Sequence, residues 1–264
     1  MISILLFLLF SLPVIANIDE QRAEELLQKY QAPQELADLL NQAYEQNAGF
    51  RECLNRRRVC RCPKELSCYI KTQSDQTLSR RLDNLEKAQK AIEENDLNEI
   101  VLPHKYLWGS SSISGEITQR LVVEALEPEL DSSGRCNLNG ISKSQFAHIL
   151  TFAKVVGFGD YIGGNYSFEG KTNMFVTTYA PSKQFWKNPQ NHGSGEKRIA
   201  LIDTKRLGFF GEHLHAGYFF DLIVDENSRE CVIEDVLRDL DERFFPRDDV
   251  DDFWKKYAGK CFKR

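Results

Sequence analysis

The stretch that decides the fold is Gly157 to Asn165, which reads GFGDYIGGN. A helix is predicted before it, because Ser142 and Gln145 form a capping box and apolar residues then recur at helical spacing. Gly157 is typical of a residue that ends such a helix. The loop that follows contains a carboxylate, Asp160, and then the amide of Asn165. This stretch therefore predicts a helix that leads into a polar loop.

Other motifs surround this stretch in a definite order. They are SCYIK at 67–71, LPHKYL at 102–107, VVEAL at 122–126 and ALIDTK at 200–205. The first predicts a strand that ends in Lys71, and residues 79–95 predict a helix after it. The third predicts a buried strand that runs into a connector, and the last predicts a strand that ends in Asp203.

In this order, residues 67–225 resemble the protein-kinase-like superfamily, and more specifically small divergent bacterial kinase-like proteins. The resemblance implies an α+β fold, a bilobal kinase-like domain that binds ATP and Mg²⁺ in its cleft. It implies that Asp160 orients the attacking hydroxyl and that Asn165 and Asp203 bind Mg²⁺. An amide oxygen and a carboxylate suit this ion, because Mg²⁺ prefers oxygen ligands.

The resemblance also implies how the nucleotide is held. Lys71 would hold the phosphates, in a catalytic and cofactor-binding role, and an acid on the following helix would pair with it. Glu86 fits this acid best by spacing, with Asp83 as the alternative. The backbone groups from Glu124 to Leu126 would face the adenine.

The chain departs from the kinase pattern in two places. No Gly-x-Gly-x-x-Gly loop precedes Lys71, where a segment rich in Cys and Arg stands instead, and no Ala-Pro-Glu follows Asp203. Between Asp160 and Asp203, residues 170–197 form either a substrate lid or a plain insertion.

The N-terminal residues indicate export. Met1 to Ala16 is apolar and uncharged and ends in Val14-Ile15-Ala16, which fits a cleavage site, so we predict a signal peptide that is cut after Ala16, with an uncleaved anchor as the alternative. The protein is then secreted or periplasmic and keeps no stable membrane span after cleavage.

Four parts of the chain are predicted. They are the signal peptide at 1–16, a helical extension at 17–50, the Cys/Arg-rich segment with a reduced N-lobe at 51–126, and a mostly helical C-lobe at 127–264.

Seven cysteines fit an oxidising compartment. They are Cys53, Cys60, Cys62, Cys68, Cys136, Cys231 and Cys261. The first four lie close together and predict a local set of disulfides, because their spacing is not a usual pattern of zinc ligands. The odd number leaves one thiol free or paired between chains.

Charge limits the choice of partner. The formal net charge of −5 argues against bulk electrostatic binding to nucleic acid. One region differs, because residues 51–64 carry six basic residues and a single acid, Glu52. This segment is either a solvated, disulfide-linked loop or a patch that binds phosphates or an acidic partner.

Three functions remain open from the sequence. The first is an exported kinase-like protein that transfers the γ-phosphoryl of ATP to a hydroxyl of an unknown protein or small molecule. The second is a non-catalytic secreted binding protein, a pseudokinase-like scaffold held by disulfides. The third is metal-dependent hydrolysis through His213 and His215, which share one side of a predicted strand but have no clear third ligand.

The acidic segment 234–252 predicts packed terminal helices with a charged outer face.

Overall fold

The α+β fold class is confirmed. The computed structural model describes residues 19–73, 75–111, 117–127, 143–156, 174–187 and 196–202. These residues form helices and two small β-sheets. The division into two kinase-like lobes stays a prediction.

The described residues form five α-helices and seven strands. The helices are α1 (Glu20–Lys29), α2 (Gln34–Gln46), α3 (Ala48–Arg56), α4 (Asp75–Glu94) and α5 (Lys143–Val156). The strands are β1 (Val59–Arg61), β2 (Cys68–Thr72), β3 (Ile100–Val101), β4 (Lys105–Ser111), β5 (Ile117–Glu124), β6 (Met174–Thr177) and β7 (Arg198–Leu201). Short 3₁₀ helices lie at Lys64–Leu66 and Phe185–Lys187. One interpretation of the Cys/Arg-rich segment 51–64 is a solvated loop. In the structure this segment contains the end of α3 and the strand β1.

Local sequence explains where the first helices begin. The Asp19 carboxylate accepts the Arg22 N–H at 2.8 Å and caps α1. The Asn47 side chain accepts the Phe50 N–H at 2.9 Å and caps α3 in the same way. Pro33 directly precedes α2, where its fixed φ suits the start of a helix.

The larger sheet is antiparallel, with strand order β1-β2-β5-β4. Side chains alternate between the two faces of a strand, so the register assigns each residue to one face. Lys71, Leu121 and Leu107 are paired across the sheet and share one face, here called the α4 face. Ile70 and Val122 are paired on the opposite face, here called the α2 face.

Different helices cover the two faces. On the α4 face, Leu26 of α1 and Leu82 of α4 pack against Leu107 and Leu121. On the α2 face the buried cluster includes Leu36, Leu40, Phe50, Leu54, Ile70, Trp108 and Val122. The predicted helical extension at 17–50 thus contains two helices, α1 and α2, that lie on opposite sides of the sheet.

The segment between α1 and α2 passes along the outer edge of β4. The Leu107 N–H donates to the Tyr30 carbonyl at 2.7 Å, and the Ala32 N–H donates to the Leu107 carbonyl at 2.8 Å. These bonds satisfy backbone groups that a terminal strand leaves unpaired. The N-terminal segment therefore crosses from one face to the other around β4.

A buried cation connects α3 to the sheet. Arg120 of β5 is 7% exposed and donates to the Ser110 hydroxyl at 2.8 Å and the Leu54 carbonyl at 3.2 Å. It also donates to the Thr72 hydroxyl at 2.5 Å. Burial lowers the pKa of the Arg120 guanidinium. Its bond to Leu54 satisfies a carbonyl near the end of α3, which has no partner within the helix.

The smaller sheet has the order β3-β7-β6, with β3 parallel and β6 antiparallel to β7. Leu126, which follows β5, packs with residues of this sheet in one apolar cluster. This contact connects the two sheets. Among the described residues, no helix is both long and apolar enough to cross a membrane.

The packing on the α4 face predicts a large effect of truncating Leu82, which is fully buried. We expect Leu82→Ala to lower the free energy of unfolding by about 2–5 kcal/mol, because it leaves a cavity between α4 and the sheet. Urea unfolding of the oxidised protein measures this change. Val59→Ala, at a side chain 50% exposed, is the control and should change stability by about 0.5 kcal/mol or less. If Leu82→Ala lowered the free energy of unfolding by only about 0.5 kcal/mol, like the control, α4 would not be packed on this face.

Candidate functional site

Lys71, the predicted phosphate-binding residue, is part of β2, and its role stays a prediction. It lies directly opposite Leu121 of β5 and Val59 of β1. Its side chain shares the α4 face, and α4 follows β2 in the chain after a short connection. The strand that carries this lysine thus leads into a helix, α4, that packs on the face where the lysine lies.

Glu86, the acid predicted to pair with Lys71, forms ion pairs with α1. Its carboxylate accepts from Arg22 and, at 2.5 Å, from Lys29. Although burial acts to raise the pKa of Glu86, these hydrogen bonds and charges lower it below its ordinary value. The acid is therefore ionised and held by two cations of the N-terminal helix.

Asp83, the alternative acid, belongs to the same charged cluster. Its carboxylate lies 3.5 Å from Arg22 and 2.6 Å from Lys87, and its side chain is 12% exposed. Arg22 thus lies between both candidate acids of α4. The sequence showed these residues but not this contact, because α1 and α4 are far apart in the chain.

Glu124 forms a buried carboxyl site that the sequence did not predict. It is 1% exposed, and its two oxygens accept the His104 N–H at 2.9 Å and the Ser182 N–H at 2.8 Å. The Tyr179 hydroxyl also bonds to it. Burial raises the pKa of Glu124 to about 7, against the lowering effect of these bonds. The side chain joins β5 to residues 174–187.

Neighbours of Glu124 titrate abnormally for the same reason. Burial lowers the pKa of His104, and the positive charge of Lys183 adds to this effect. Burial also raises the pKa of Tyr179, and the charge of Glu124 raises it further. Glu124 and Lys71 project from opposite faces of the sheet, so the Glu124 carboxyl cannot act on a ligand held by Lys71.

The backbone predicted to face an adenine is partly used within the fold. The Glu124 N–H donates to the His104 carbonyl at 2.9 Å, and the Ala125 N–H donates to the Ser67 carbonyl at 2.9 Å. Of the backbone N–H groups in this segment, only that of Leu126 would be left for a nucleotide base. This residue is 6% exposed and packs with Phe175 and Ala200.

The ends of β5 and β7 meet at one place. Ile202 directly follows β7 and packs against the apolar cluster that contains Leu126. Asp203 is the next residue in the chain. Its own position, and those of Asp160, Asn165, His213 and His215, lie outside the described residues.

The local disulfides are confirmed for the first four cysteines. Cys53 pairs with Cys60, and Cys62 pairs with Cys68. The remaining three cysteines, at 136, 231 and 261, lie outside the described residues, as does the predicted unpaired thiol. In the described part of the chain, no three His, Cys, Asp or Glu side chains are grouped closely enough to hold a metal ion.

A shallow groove of about 370 Å³ lies between α4 and α5. Its lining residues are Asn84, Lys87, Lys90, Ala91, Glu94, Val155 and Val156. It contains neither Lys71 nor Glu124. Because its charged residues are solvated and pair with carboxylates on the same helix, we do not assign the site to it.

The raised pKa of Glu124 predicts a pH dependence of stability. The folded protein keeps the Glu124 carboxyl protonated up to about pH 7, whereas the unfolded chain releases that proton near pH 4.5, so the contribution of Glu124 to stability is fully present below pH 4.5 and is lost as the pH rises through 7. The contribution of Glu124 to the free energy of unfolding falls by about 3 kcal/mol between these two pH values. Glu124→Gln should remove this part of the slope in urea unfolding measured across the range.

Glu127→Gln serves as the control, because that carboxylate is 48% exposed and should leave the slope almost unchanged. Equal slopes for the unaltered protein and Glu124→Gln would show that Glu124 is already ionised in the folded state.

Compared with protein-family profiles, with curated proteins and with solved structures, the chain shows no significant match.

Proposed function

We propose that this chain is an exported, kinase-like nucleotide-binding protein that transfers the γ-phosphoryl of ATP to a hydroxyl. The observation that carries the proposal is the packing of Ile202 against the cluster of Leu126. Ile202, the residue before the proposed Mg²⁺ ligand Asp203, thus packs on the same apolar cluster as Leu126, which follows β5 where the adenine would be held. A phosphoryl-transfer site needs these two functions close together, because the nucleotide connects them.

The arrangement of Lys71 supports the same proposal. Its side chain shares the α4 face with Leu121 of the central strand β5, and α4 covers that face. From this face a lysine would reach phosphates lying at the edge of the sheet. The end of α5 at Val156 comes directly before Gly157 and the loop that carries Asp160 and Asn165.

Each proposed residue has one part in the reaction. Lys71 would neutralise phosphate charge, and Asn165 and Asp203 would hold Mg²⁺ through an amide oxygen and a carboxylate. Asp160 would orient the acceptor hydroxyl and take its proton as the oxygen attacks the γ-phosphorus. The rate would come from positioning and charge stabilisation rather than from covalent chemistry of the protein.

A non-catalytic binding protein is the second candidate. The ion pairs of Glu86 with Arg22 and Lys29 favour it, because an acid already bonded to two cations is not available to position Lys71. The disulfides of the Cys/Arg-rich segment, which stands where a glycine-rich loop would cover the phosphates, favour it as well.

A thermal-shift titration with ATP and Mg²⁺ separates the two candidates. A ligand that binds only the folded state raises the melting temperature, by about 5–10 °C at a hundredfold excess over its Kd. We expect a rise that needs Mg²⁺, is lost in Asp203→Asn and is reduced in Lys71→Met. Lys90→Met, at a side chain 72% exposed, is the matched control and should behave as the unaltered protein.

Catalysis is tested separately from binding. Asp160→Asn should keep the Mg²⁺-dependent shift but abolish release of ADP in the presence of an acceptor. No shift at millimolar ATP would contradict the first proposal and support the binding protein, and an equal shift in Asp203→Asn would contradict the metal role of Asp203.

A further inference from the structure

The two outer edges of the larger sheet differ. The edge of β4 is bonded to the segment at Tyr30 and Ala32. At the other end of the sheet, no strand within the described ranges pairs with the outer side of β1. An open strand edge is a template on which another extended chain can bind.

The register shows which backbone groups face this open edge. The Thr72 N–H donates to the Arg58 carbonyl at 3.0 Å, and the Cys62 N–H donates to the Cys68 carbonyl at 2.8 Å. Hydrogen-bonded positions alternate along an antiparallel pair, so Cys60 also bonds toward β2. The N–H and carbonyl groups of Val59 and Arg61 therefore point away from β2; the Cys53 sulfur lies 4.0 Å from the Val59 carbonyl oxygen but, being in a disulfide, has no hydrogen to donate to it.

The side chains at this edge are positively charged and exposed. Arg57 and Arg58 are exposed, and no ion pair to either one occurs in the described part of the chain. Arg61 is 62% exposed and lies 3.4 Å from Glu127. Val59 is 50% exposed, an apolar residue between the charges. An extended partner with acidic side chains would complement this surface.

The edge is fixed before any partner arrives. One disulfide connects β1 to α3 through Cys60, and the second connects the residue after β1 to the first residue of β2 through Cys62. A surface that is already ordered loses little conformational entropy on binding. This rigidity favours recognition of a short segment, whose few contacts could not order a mobile loop.

We propose that the outer edge of β1, from Arg57 to Cys62, binds an extended acidic peptide segment of a partner protein as an added strand. The outward N–H and carbonyl groups of Val59 and Arg61 would bond to the peptide backbone. Arg57, Arg58 and Arg61 would pair with its carboxylates. Backbone bonding distinguishes this partner from a sulfated polysaccharide, which has no strand edge to offer. The proposal does not depend on nucleotide binding.

Fluorescence anisotropy with two labelled peptides tests the proposal on the oxidised protein without nucleotide. The first peptide alternates threonine and glutamate over eight residues. The second replaces each threonine by proline, which keeps the charge but removes half of the backbone N–H donors and disfavours an added strand. We expect the threonine peptide to bind about tenfold or more tightly than the proline peptide.

Variants assign the binding to β1. Arg57→Glu with Arg58→Glu should weaken the threonine peptide by about tenfold or more, since two attractive contacts become repulsive. Lys90→Glu with Lys187→Glu makes the same charge change at exposed positions elsewhere and should leave binding within about twofold.

Amide exchange measured by NMR tests the backbone bonds. The Val59 and Arg61 amides should exchange rapidly in the free protein and become protected when the peptide binds, while the Cys60 amide is protected in both states.

Three results would overturn the proposal. Equal binding of both peptides would show that charge alone attracts them. The arginines would then serve only to keep other strands from pairing with this edge. Displacement of the peptide by heparin without any protection of the Val59 amide would indicate a polyanion site instead. Protection of that amide in the free protein would show that the edge is already occupied by this chain or a second copy. If the protein does not bind the peptide but does bind nucleotide, the peptide proposal fails and the kinase-like proposal stands.

Discussion

The described structure depends on β5, the strand that is bonded on both edges and buried on both faces. Its odd-numbered residues bond toward β2 and its even-numbered residues toward β4, so neither edge reaches water. Leu121 and Val122 face opposite clusters, which bring helices to both sides of the sheet. Burial of a polar group without a partner is costly, and the two buried polar residues of β5, Arg120 and Glu124, are held by internal hydrogen bonds.

These two polar residues have different consequences. Arg120 donates to neutral oxygens of α3, β2 and β4, and so fixes the sheet to a helix whatever the pH. Glu124 accepts backbone N–H groups from two separate segments, and its pKa of about 7 makes this connection sensitive to pH near neutrality. One strand therefore contains both a permanent and a titratable connection.

Much of the secondary structure could be predicted because it depends on local pattern. The apolar run at 120–126 and the helical spacing after residue 79 belong to β5 and α4, within a few residues of the predicted ends. α3 was missed because its arginines conceal the two buried residues, Phe50 and Leu54, that pack it on the sheet. The partners of Glu86 could not be predicted, since periodicity gives the face of a helix but not which distant element covers it.

The path of the N-terminal segment changes how the parts of the chain should be divided. The residues predicted to be an extension, 17–50, supply apolar side chains to both faces of the sheet and bond the edge of β4 between them. A shortened chain that begins near residue 51 would expose Leu107 on one face and Trp108 on the other, and would break α3 as well. A chain that keeps residues 19–50 keeps these contacts, so what looks like an appendage in the sequence is part of the core on both faces of the sheet.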